Sequence, residues 1–154
     1  RMTELQAAVG LAQLKKLDFI VETNRKNYNY IYKNLINING LGFRKIPKEC
    51  EPLCDCLMIV FPEENLAKKF VSMINKEGLG TKNVPDAIEW HFARYWDHIF
   101  SKYGLGKNDL KILTNKSAKL LNKSVAIPIS LKESNKSLKQ KSAIYRDTAL
   151  SILS

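Results

Sequence analysis

Five aromatics and both histidines of the chain fall within the eleven positions from Trp90 to Phe100, with Arg94 and Asp97 among them. That set contains the parts needed to hold a polar, ring-shaped ligand. A flat aromatic face takes up the apolar side of a sugar ring, and imidazole, guanidinium and carboxylate tips read hydroxyls or an acid group. Trp90, His91, Arg94, Trp96 and His98 are therefore the candidate substrate-binding residues. The same aromatics also suit a core, since Trp90, Phe92 and Trp96 each bring a large apolar area that burial would use.

Other chemistries find no pattern. Cys50, Cys54 and Cys56 are an odd, clustered set, which is no disulfide framework. Their spacing also lacks the paired Cys-x2-Cys knuckles of a structural zinc site. They read as free thiols, with Cys54 and Cys56 on one face if the segment is a strand. No Gly-x-Ser-x-Gly or His-Glu-x-x-His occurs. Gly104-Leu-Gly-Lys107 is not a phosphate loop, because Ser101 stands where its first glycine belongs and Asn108 follows the lysine. No motif supports a nucleophile built from these thiols and His91.

The elements that must position these residues follow from periodicity. Thr3 and Gln6 make a capping-box pattern. Leu5, Val9, Ala12, Leu14, Leu17, Val21, Tyr28, Ile31 and Leu35 then recur mostly at helical steps, so residues 3–36 read as one long helix ended at Asn39-Gly40. Such a helix is roughly 50 Å long, more than a domain of this size covers, and is expected to project or to pack on another body. Strands are expected over 43–47, 53–61 and 80–84, with a helix over 65–77 stopped by Gly78. The aromatic segment, 85–103, reads as a turn of helix followed by a loop or second helix. Helices are expected over 115–122 and 134–153, the latter anchored by Leu138, Ile144, Ala149, Leu150 and Leu153, with a strand between them that Pro128 marks as an edge or an end. The fold class is α+β: a long N-terminal helix, 1–38, leading into a small, mostly antiparallel sheet covered by helices, 39–154.

Composition excludes little and steers somewhat. Of the 154 residues 45% are hydrophobic and 26% charged, an ordinary globular balance. No stretch approaches the ~20 apolar residues of a membrane span, and no signal-peptide pattern opens the chain, so a cytoplasmic location is expected. The net charge is +10, with ten lysines between Lys102 and Lys141 against Asp109 and Glu133. Only five arginines and no RNA-binding aromatic signature accompany them, so these lysines read as a solvated face rather than a nucleic-acid site. They would also attract an anionic sugar substrate. Asn-Lys-Ser at 115, 122 and 135 reads as polar surface.

The first eighteen residues, Arg1-Met-Thr-Glu-Leu-Gln-Ala-Ala-Val-Gly-Leu-Ala-Gln-Leu-Lys-Lys-Leu-Asp18, resemble an internal segment of the pyridoxal-phosphate-dependent sugar aminotransferases of the DegT/DnrJ/EryC1/StrS family. There, this run follows the cofactor-binding large domain and starts the helix into the small C-terminal domain. Ala126-Ile-Pro-Ile-Ser130 resembles that domain's late strand, with Ile127-Pro128 where the family usually reads Leu-Pro. His91 is the nearest match to the histidine that the small domain folds over the substrate. The wording from Asn83 to His98 looks most like members that aminate an eight-carbon keto-sugar acid, the 8-amino-3,8-dideoxy-octulosonate branch. The resemblance implies the small domain of a fold-type I enzyme that carries an amino group on pyridoxal phosphate from an amino acid to a keto-sugar or nucleotide-linked keto-sugar. It implies a homodimer or higher oligomer built through helix 3–36.

None of the twenty lysines lies in a Schiff-base motif, and the large domain that carries it is expected to be missing. Arg1 and Glu4 would adjoin the partner-phosphate contact without forming it. The chain alone is therefore expected to be inactive and to hold no cofactor. The alternative is a stand-alone interaction or regulatory module derived from this domain, which would bind a protein or a polyanion.

Overall fold

Thr3 opens the first helix as the capping box requires. Its hydroxyl accepts the Gln6 backbone N–H at 3.3 Å, and the Gln6 side chain accepts the Thr3 N–H at 2.9 Å. The computed structural model describes residues 2–154; Arg1, the first residue of the opening motif, lies outside them. The expected single helix is two. Helix α1 spans Glu4–Leu14 and α2 spans Leu17–Leu35, with a turn at Lys15 and Lys16 between them. Lys16 leaves helical geometry at φ −101°, ψ 1°, and its N–H bonds to the Gln13 carbonyl at 2.9 Å. Leu14 and Leu17 carry the apolar rhythm across this turn, which is why the pattern reads as unbroken.

The two helices differ in packing. No residue of α1 is buried, and Leu5, Val9, Leu11 and Leu14 are all more than half exposed. In α2, Asn24, Asn27, Ile31 and Leu35 are buried. Gly40, at φ +83°, then reverses the chain in a conformation that side chains with a Cβ rarely adopt.

Three strands form one antiparallel sheet in the order β1 (Gly42–Phe43), β2 (Cys56–Val60), β3 (Ser124–Pro128). Gly42 faces Val60, and Cys56 through Val60 face Pro128 through Ser124. Leu57 and Ile59 alternate into the core as a period of two demands. Pro128 is the end of β3, where its missing N–H breaks no ladder. The strand expected over 80–84 shrinks to two bonds on the free side of β3: Lys82 N–H to Ala126 O at 2.8 Å, and Ala126 N–H to Val84 O at 3.0 Å. Asn83 between them sits at φ +65°, which kinks the chain and prevents a longer ladder. The strand expected over 43–47 likewise ends at Phe43.

Helices α3 (Glu64–Lys76) and α8 (Asn135–Leu153) pack on each other and on the sheet. Their contact contains Phe70 and Tyr145, 6.4 Å apart, and Phe70 also meets Phe61 at 5.1 Å. Leu57, Ile59, Val125, Ile127, Ile74 and Ala149 complete the centre of one core. In α8 the inward face is Leu138, Tyr145, Ala149 and Ile152, whereas Leu150 is exposed, a correction to two of the five expected anchors, since Ile144 is only half-buried. Helices α4 (Ile88–His91), α5 (Asp97–Phe100), α6 (Lys107–Leu113) and α7 (Asn115–Leu121) form a tier of short pieces beside β3. The fold is α+β, as expected.

Candidate functional site

Val84, just before the aromatic segment, and Phe92 within it are its buried anchors, while Trp96 and Phe100 are half-buried. Val84 and Phe92 are each 9% exposed, and Phe92 meets Tyr95 edge-on with ring centres 6.0 Å apart. Pro85 and Ile88 lean over a narrow cleft of about 90 Å³ against Ala67, Val71, Leu121 and Val125. Leu110, 3% exposed, holds α6 against the single turn Ala93–Tyr95. Lys82 bonds Asp55 at 2.6 Å and pins the start of the segment to the chain before β2. That bond, with the ammonium charge, holds the Asp55 carboxyl below the usual carboxylate range despite partial burial. Short helices stack in succession here: Trp96 N–H reaches Ala93 O at 3.0 Å, and Phe100 N–H reaches Trp96 O at 3.0 Å.

The core reading of the aromatics therefore holds for Phe92, in part for the half-buried Trp96, and not for Trp90. Trp90 is 83% exposed, far too open for a structural indole. It borders an open recess of about 450 Å³ with Trp96, His98, Glu89 and Ile99. Three of the five candidate residues thus share one recess. Its two indoles offer ring faces, and Glu89 and His98 offer a carboxylate and an imidazole, a set suited to a hydroxylated ring.

Arg94 lies elsewhere. It borders a second, more polar recess of about 200 Å³ with Tyr95, Asn115, Ala118, Lys119 and Asn122. A guanidinium, an ammonium and two amides there suit an anionic group. Asn122 donates to Glu64 at 2.9 Å, which fixes its amide. His91 is exposed at the end of α4 and borders neither recess. Glu89, Ile99, Asn115, Lys119 and Asn122 were not among the candidates. Asn115, Lys119 and Asn122 do carry a readable signal, a polar face at helical spacing along α7 and its C-cap.

The thiols do not join this site. Cys54 is buried at φ +60°, just before β2, so it does not share a strand face with Cys56. Burial raises both thiols above their ordinary pKa, the reverse of an activated nucleophile. No group of three or more His, Cys, Asp or Glu suited to a metal occurs among the described residues. No helix among them is long and apolar enough to cross a membrane.

Residues 1–136 match the DegT/DnrJ/EryC1/StrS aminotransferase family. The structure also superposes on solved aminotransferases. The sugar aminotransferase Spr1654 of Streptococcus pneumoniae in its PMP form matches at TM-score 0.74 and 12% identity, over 99% of this chain and 36% of its own. PseC of Helicobacter pylori, an aminotransferase of pseudoaminic acid biosynthesis, matches at TM-score 0.70 and 15% identity, over 98% of this chain and 38% of its own. 3-Amino-5-hydroxybenzoic acid synthase matches at TM-score 0.67 and 17% identity, over 93% of this chain and 38% of its own. At these identities the likeness is one of fold. The chain spans little more than a third of the length of these proteins.

Proposed function

Because this chain belongs to the DegT/DnrJ/EryC1/StrS aminotransferase family, we propose that it is the small C-terminal domain of a pyridoxal-phosphate-dependent enzyme that aminates a keto-sugar. The observation that carries this reading is the family match over 1–136, together with superposition of nearly all of this chain on about a third of sugar aminotransferases. On this reading the reaction produces an amino sugar for a cell-surface polysaccharide such as lipopolysaccharide, in the cytoplasm.

Pyridoxal phosphate needs a lysine amine for its aldehyde, a carboxylate for its ring nitrogen and donors for its phosphate. Neither recess of the candidate site offers that set. The recess of Trp90, Trp96 and His98 has Glu89 but no lysine, and the recess of Arg94 has Lys119 but no carboxylate. The cofactor would therefore sit on the large domain, and this chain alone would hold none. Its own part is to bind and orient the sugar. Trp90 and Trp96 would stack on the ring, and His98 and Glu89 would read its hydroxyls. His91 would reach the substrate from the end of α4, and Arg94 with Lys119 would take an acidic substituent, which suits a keto-sugar acid.

The bare apolar ridge of α1 supports packing against the large domain or a second subunit. The test is to isolate, from its source cell, the native protein that contains these peptides. A mass well above that of 154 residues, with an imine chromophore that borohydride fixes on a lysine outside this chain, is the expected result. A native mass equal to this chain's, with no chromophore, would overturn it. That outcome would leave the stand-alone module.

A further inference from the structure

A further concave site lies between α2 and α8, of about 480 Å³. Lys26, Asn29, Tyr30 and Lys33 border it from α2, and Asn135 and Lys139 from α8. No carboxylate lines it, and none of its three lysines is ion-paired among the described residues. Glu133, two residues before α8, is taken up by Ser137 and Lys141. The first turn of α8 itself holds no acidic residue, and the Glu133 carboxylate meets it at the Ser137 hydroxyl. Leu138, 5% exposed, closes the floor, and the half-exposed ring of Tyr30 forms a wall.

We propose that this groove binds a small anion carrying two or more phosphate groups. Three observations select that class. The volume lies within the range of small-molecule sites, roughly 300–1,000 Å³, and is too confined for a nucleic-acid duplex. Its cations are ammoniums, point charges that bind phosphate oxygens well. Lys26 and Lys33 are seven residues apart on one helix face, roughly 10 Å along the axis, with Lys139 across from them. That spread suits an anion with more than one charged group. The two asparagine amides add donors for the remaining oxygens.

The experiment is calorimetric titration of this protein with pyrophosphate at low ionic strength, alongside two triple variants of equal charge change. Lys26→Glu/Lys33→Glu/Lys139→Glu empties the groove of its cations. Lys102→Glu/Lys111→Glu/Lys116→Glu removes as many exposed lysines from other elements. One saturable site is expected, weakened at least about tenfold by the groove variant and less than about twofold by the other. Amide shifts in the unaltered protein should centre on residues 26–33 and 135–139, a readout that needs no variant to fold. Absence of saturable binding, equal weakening by both variants, or shifts centred on 102–123 would each overturn the proposal. So would binding seen only with long polyanions.

Discussion

Gly78 follows α3 at φ +72°, with open space where a Cβ would stand. Replacing it with alanine therefore introduces strain without a clash. Gly78→Ala should lower the urea-unfolding free energy by about 1 kcal/mol. Gly10 lies within α1 at an ordinary φ with nothing near, so Gly10→Ala should not destabilise and should favour the helix by up to about 1 kcal/mol. Glu133 makes a second test. Burial alone would raise its carboxyl, but hydrogen bonds from Lys141 and Ser137 and the ammonium charge outweigh that and lower it. A lowered folded value means that the carboxylate's contribution is complete above the ordinary value of 4.5 and is lost as pH falls through the folded one. Glu133→Gln should then cost about 1–3 kcal/mol at neutral pH, with the gap to the parent protein closing below pH 4.5, read by urea unfolding across pH. Tyr145 acts at the other end. Burial and the Glu133 charge push its phenol up to about 12, so its contribution is complete below pH 10 and fades as pH rises toward 12. Tyr145→Phe should flatten that alkaline loss.

At the scale of elements, legibility followed packing. The capping box of Thr3 and Gln6, the strand within 53–61 and the stop of α3 before Gly78 are local signals that the fold uses, so sequence and structure agree there. The turn at Lys15–Lys16 was hidden because apolar residues continue on both sides of it. Helix α6 went unseen because only Leu110 is buried while Ile112 and Leu113 face solvent, which leaves no amphipathic period. The aromatic segment was recognisable by residue type but not by direction. Its helices are four residues or fewer, too short for periodicity to say which ring points inward. That is why Arg94 and Trp90 were grouped although they border different recesses. Helix α1 invites a direct test. If the exposed apolar face of α1 joins copies of this chain, Leu5→Glu/Val9→Glu/Leu14→Glu should leave only monomer in sedimentation velocity where the parent protein sediments faster. Unchanged sedimentation would remove α1 as the contact.

For the molecule as a whole, stability should be graded. The β2–β3 ladder and the helices α3 and α8 share the buried core, whereas α1 contributes nothing to it. Amide exchange should therefore protect Leu57, Ile59, Val125 and Ile127 near the global unfolding limit, while α1 exchanges through local opening. Equal protection in both would mean that α1 is held by something at the protein concentration used. The turn at Lys15–Lys16 has a mechanical consequence. Eleven residues make α1 a lever roughly 16 Å long, so a rotation of about 30° at that turn sweeps its tip through about 8 Å. The sheet and its covering helices need not deform for this to happen. Any body seated on α1 can thus be re-aimed relative to Trp90 and Trp96 by adjusting two residues, which makes this joint the place where altered lysine backbone geometry would tune the spacing between a seated body and the aromatic recess.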